Sequence, residues 1–148
     1  MYRLHKKPMN PKPDWLHEHE IKLANGDVAL WSYDDEGDVL EIFFRDAPAS
    51  ATVELADGVF LRFDRQHEQP LSIGFIAATT LMRSQEFGQP LLALTGLAKL
   101  PTSERKLVLN MLQASPINAV LRVYSFKPAA RSQTIPVAAL TQSIPLAA

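Results

Sequence analysis

His17 and His19 stand two residues apart, so an extended chain points both imidazoles to one side. Neutral imidazoles at that spacing bind divalent metals, and His5 becomes a third ligand if the N-terminal segment folds back. Spacing fixes no third ligand, and Glu18 and Glu20 point the other way. The pair is therefore read as part of a solvated segment ahead of the first strand. Asp34, Asp35, Glu36 and Asp38 crowd carboxylates around Gly37, a set of hard oxygens that suits calcium. The ligand rhythm and distal Glu of an EF-hand loop are missing, and turn formation accounts for Asp34, Gly37 and Asp38. Glu41, Asp57 and Asp64 fall along extended segments, where a pair serves acid–base chemistry only if strand register brings two together. No serine sits in a Gly-x-Ser-x-Gly elbow, and the 6 glycines are too scattered for a phosphate loop. Cysteine is absent, which excludes disulfides, thiol catalysis and thiolate metal sites. No catalytic residue, metal ligand or cofactor is assigned, and the balance is against an enzyme.

The elements that position these groups are mostly strands. Ile21 and Leu23 alternate with polar neighbours over 20–24, and Asn25-Gly26 signals a tight hairpin into a strand over 28–33. A strand over 39–45 puts Leu40, Ile42 and Phe44 on one face, and Val39, Glu41 and Phe43 on the other. Strands over 52–56 and 59–64 flank Asp57-Gly58, a second tight turn. An apolar strand follows over 71–80, with Gly74 at a bulge or a close backbone approach. Residues 83–90 read as a loop, and 91–100 as a strand or short helix weakened by Gly96. Pro101-Thr102-Ser103-Glu104 starts a helix, with Thr102 as the cap. Leu107, Val108, Met111 and Leu112 fall on one of its faces, and Pro116 ends it near Ser115. Strands over 119–126 and 135–140 complete the chain.

The 148 residues carry a formal net charge of −1, unevenly spread. Residues 1–13 hold +4, 14–68 hold −10 and 69–148 hold +5. An acidic sheet beside its own basic C-terminal part explains this segregation more simply than an external partner does. No aromatic interleaves the lysines of the proline-containing tail, which argues against sequence-specific nucleic-acid binding. No stretch is apolar enough for a spanning helix and no targeting pattern stands out, so a cytoplasmic protein is expected.

Tyr33-Asp34, Asp38-Val39-Leu40, Asp57-Gly58-Val59 and Phe63-Asp64 together resemble the family called domain of unknown function 2283. The likeness covers about residues 31–81. It implies a short β-meander closed by a Gly-containing apolar strand, and a small partner-binding protein of antitoxin type without established activity. Two departures stand out. Gly74-Phe75 is followed by Ile76 and Ala77 where the family carries an acid, and residues 65–69 lack a glycine the family places there.

The expected fold is α+β: an antiparallel β-meander sheet with one main amphipathic helix packed on one face. Its span is a single domain over 15–142, between a basic tail at 1–14 and a C-terminal tail at 143–148. No internal repeat is read. The helix is expected to cover the face with Val39, Phe43 and Phe60, because each exposed Phe forgoes about 1.5–3 kcal/mol of burial. The expected function is a non-catalytic protein-interaction module, self-associating or antitoxin-like, contacting its partner through Trp31, Val39, Phe43 and Phe60. The alternative is a small-molecule-binding protein or enzyme with a pocket between sheet and helix.

Overall fold

The computed structural model describes residues 13–23, 26–82, 91–126 and 135–140. The basic tail with His5, Asn25 of the first turn, the loop over 83–90 and the C-terminal tail lie outside the described residues. Six antiparallel strands, β1 (Leu16–Lys22), β2 (Val28–Asp34), β3 (Val39–Phe43), β4 (Ala51–Ala56), β5 (Val59–Asp64) and β6 (Gln69–Ile76), form one sheet. Their order is β1-β2-β3-β6-β5-β4. The fold is α+β and antiparallel, as read from the sequence. It is built as two three-stranded meanders that meet through β3 and β6. β3 and β4 are not neighbours, because residues 44–50 carry the chain past β6 and β5 to the far edge. The order is the same from either edge, a topological repeat that was not read from the sequence. A short helix, α1 (Ala78–Met82), follows β6 where 71–80 had read as continuous strand.

After β7 (Leu91–Ala93) comes a 3-10 helix, Thr95–Lys99, then the main helix α2 (Thr102–Gln113), a 3-10 turn, Ile117–Ala119, and strands β8 (Leu121–Phe126) and β9 (Ile135–Leu140). The last three strands form a second antiparallel sheet of order β7-β9-β8. Pro101, not Thr102, is the N-cap of α2, and no side chain caps it. Arg105 N–H donates instead to Pro101 O at 2.9 Å.

Register explains which face is buried. One cross-strand row runs His19–Trp31–Ile42–Ile73–Leu61–Val53. The next runs His17–Tyr33–Leu40–Phe75–Val59–Ala56. Apart from the two histidines at the β1 edge, every member of these rows is buried. Val108, Met111 and Leu112 of α2 join the same core cluster, with Leu92, Leu97, Leu121 and Ala138 from around them. The expectation that α2 covers Val39, Phe43 and Phe60 is therefore overturned. Those three are half-buried on the opposite face and stand outside the core cluster. The reason lies in the centre of that face, where Arg62 pairs with Glu41 at 3.2 Å and Ser72 donates to the same carboxylate at 2.5 Å. Roofing an ion pair costs several kcal/mol of desolvation per ion, whereas the other face offers uninterrupted apolar rows.

A β-bulge between Arg62 and Phe63 makes Leu71 the extra residue of β6. The irregularity expected at Gly74 falls there instead.

Candidate functional site

On the open face the two rows read Glu18–Ser32–Glu41–Gly74–Phe60–Glu54 and Glu20–Leu30–Phe43–Ser72–Arg62–Thr52. Beside them Val39 pairs with Ile76, whose exposure of 50% is high for a large apolar residue. Leu30, Val39, Phe43, Phe60 and Ile76 thus surround the neutralised Glu41–Arg62 pair. The structure places Trp31 elsewhere: it is fully buried on the core face, so it cannot share a contact surface with Val39, Phe43 and Phe60. The cause is alternation, since Leu30 and Ser32 take the open side of β2. Trp31 Nε1 is buried with no hydrogen-bond partner among the described residues, and its ring lies 5.0 Å from that of His19.

His17 and His19 belong to β1 itself, not to a segment ahead of it. Both lie on the core side at the sheet edge. His17 bonds Asp35 at 2.8 Å. Among the described residues no group of three metal-ligating side chains converges. The acidic turn is spent on its own geometry. Asp34 Oδ1 accepts the Gly37 amide at 2.9 Å, and Asp35 is taken by His17. The carboxylates along the strands also stay apart. Glu41 serves Arg62 and Ser72, while Asp64 bonds His67 at 2.5 Å and caps the following turn. The His67 contact holds the Asp64 carboxyl below its ordinary value.

Asp38 carries a clasp that sequence reasoning missed. Its φ of 56° is unusual for a non-glycine residue and within reach of Asp. Its carboxylate accepts the Tyr33 hydroxyl at 2.8 Å, the Thr79 amide at 3.0 Å and the Thr79 hydroxyl at 2.5 Å. The clasp ties β2, its turn and α1 together. Tyr33 and Asp38 stood in the quoted motif, but Thr79 lies 41 residues from Asp38, where no local pattern reaches. Burial, followed by the bond to Asp38 and the surrounding acids, pushes the Tyr33 phenol up to about 12. For Asp38, desolvation pulls upward, but the bonds from Thr79 and Tyr33 outweigh it and the carboxyl ends below its ordinary value.

The pH consequences carry opposite signs. The Tyr33 contribution is complete below pH 10 and is lost as pH climbs toward about 12. The Asp38 contribution is complete above its unfolded value and is lost as pH falls through the depressed one. Asp38→Ala leaves the part-buried Tyr33 hydroxyl without its partner and loses the exposed Thr79 contacts, and is expected to cost about 1–2 kcal/mol. Urea unfolding across the pH range checks this. Tyr33→Phe should flatten the alkaline loss, and an unchanged alkaline limb would show that the phenol does not carry it.

A groove of about 400 Å³ runs between the β5–β6 turn and α2. Pro70, Leu107 and Met111 contribute its apolar lining, and Glu68, Lys106 and Asn110 its polar groups. The Arg65–Glu104 ion pair, 2.9 Å long, pins the same turn to the first turn of the helix.

No helix among the described residues is long and apolar enough to cross a membrane. No curated protein and no solved structure gives a significant match to the chain. A family model described as "Protein of unknown function (DUF2283)" matches residues 31–68, from within β2 through the β5–β6 turn.

Proposed function

We propose that this protein is a non-catalytic protein-interaction module whose contact surface is the open face of the six-stranded sheet. One observation carries the reading: Leu30, Val39, Phe43, Phe60 and Ile76 share a face that lies outside the hydrophobic core and is centred on an ion pair already neutralised within the chain. A partner that docks on these apolar residues while water keeps access to the Glu41–Arg62 pair avoids the desolvation that keeps α2 off this face. Six strands about 4.8 Å apart and about five residues long give the whole face roughly 500 Å², of which the apolar patch is the central part. A standard interface takes about 800 Å² per partner, so the size suits a transient contact. A cytoplasmic setting and self-association belong to the same proposal.

The test is light scattering of the wild type beside Phe43→Asp and Phe60→Asp, together with capture of any partner by the same three proteins. Tyr124→Asp, on the second sheet and 47% exposed in the wild type, is the control. The two open-face variants should stay folded, losing no more than about 1–2 kcal/mol, and should lose association that the control keeps. Association unchanged in both would overturn the proposal.

A further inference from the structure

The groove between the β5–β6 turn and α2 has a pairing of groups that the open-face reading does not use. Glu68 comes from the turn, and Lys106 and Asn110 from the helix. No side-chain hydrogen bond or ion pair of the three is found among the described residues. A carboxylate and an ammonium therefore line one groove from two different elements without meeting each other, while Pro70, Leu107 and Met111 supply apolar lining. The volume of about 400 Å³ lies at the small end of ligand sites, which span about 300–1,000 Å³.

We propose that this groove binds a small zwitterion with an apolar body, of the size of a dipeptide: its carboxylate on Lys106, its ammonium on Glu68, and its side chains over Leu107 and Met111. Charge complementarity chooses the ligand. A purely anionic molecule leaves Glu68 facing its acid, a purely cationic one meets Lys106, and an apolar one satisfies neither. Asn110 adds an amide that can both donate to and accept from a peptide bond. The Arg65–Glu104 pair bridges the turn and the helix beside the groove.

The experiment is a titration of the full chain, followed by amide NMR shifts, with leucyl-leucine, N-acetyl-leucyl-leucine and leucyl-leucine amide. Leucyl-leucine should give saturable shifts centred on the β5–β6 turn and α2. Each blocked form should bind about tenfold more weakly, because each leaves one protein charge unanswered. Glu68→Gln should abolish the preference over the N-acetyl form alone, and Lys106→Gln the preference over the amide alone. Both positions are exposed, so both variants should keep the wild-type melting curve. No saturable shift at millimolar probe, or equal binding of all three probes, would overturn the proposal.

Discussion

Gly96→Ala should be among the most damaging single substitutions in this chain. A Cβ built on Gly96 would lie 1.8 Å from the backbone oxygen of Glu54 and 2.7 Å from its carbon. Those atoms belong to β4, so no side-chain rotation relieves the clash. Either the 3-10 helix Thr95–Lys99 lifts off the edge strand or β4 itself must move. Leu55 and Leu97 then lose their buried contacts. Overpacking usually costs about 1–3 kcal/mol, and a clash against fixed backbone belongs at or beyond the top of that range. At about 2–4 °C per kcal/mol for a chain near this size, the melting temperature should fall by roughly 10 °C. Gly74→Ala is the matched control. Its Cβ meets nothing closer than 3.9 Å, so it should be neutral or slightly stabilising. Thermal unfolding of the two variants settles it: equal melting would mean that the 3-10 helix does not seal the β4 edge.

The second large effect concerns two neighbours on β3. Ile42 is fully buried in the row from His19 to Val53, while Phe43 faces the other side. Ile42→Asp places a carboxylate beside its fully buried row neighbours Trp31 and Ile73. The group must either stay charged at a cost of several kcal/mol or take up a proton. Ordinary domains hold only about 5–15 kcal/mol of stability, so the variant should be largely unfolded at neutral pH. Phe43→Asp, one residue on, should leave a cooperative melting curve. Circular dichroism of both variants gives the answer. If Phe43→Asp unfolds the chain as thoroughly as Ile42→Asp, then both faces of the sheet are core and the interaction reading of the open face fails with it.

Alternation told the sequence reader which residues of β3, β4 and β5 share a side. Leu40, Ile42, Phe44, Val53, Leu55, Leu61 and Phe63 all proved to be core. The same rule, applied to β2, separates Trp31 from Phe43. Tight turns were legible for a similar reason: Gly58 has a φ of 76°, a conformation its residue type announces. What the sequence by itself determined is thus most of the strands of the large sheet, the two faces of β3, β4 and β5, the tight turns and the apolar stripe of α2, because each is set by neighbours a few residues away. Only the tertiary structure decided that β3 lies beside β6, that α2 roofs the Ile42 face, that Thr79 closes on Asp38, that Gly96 abuts Glu54, and that Glu68 and Lys106 line one groove. Those outcomes depend on contacts between residues tens of positions apart, and on which apolar surface is cheapest to cover once an ion pair occupies the middle of the other.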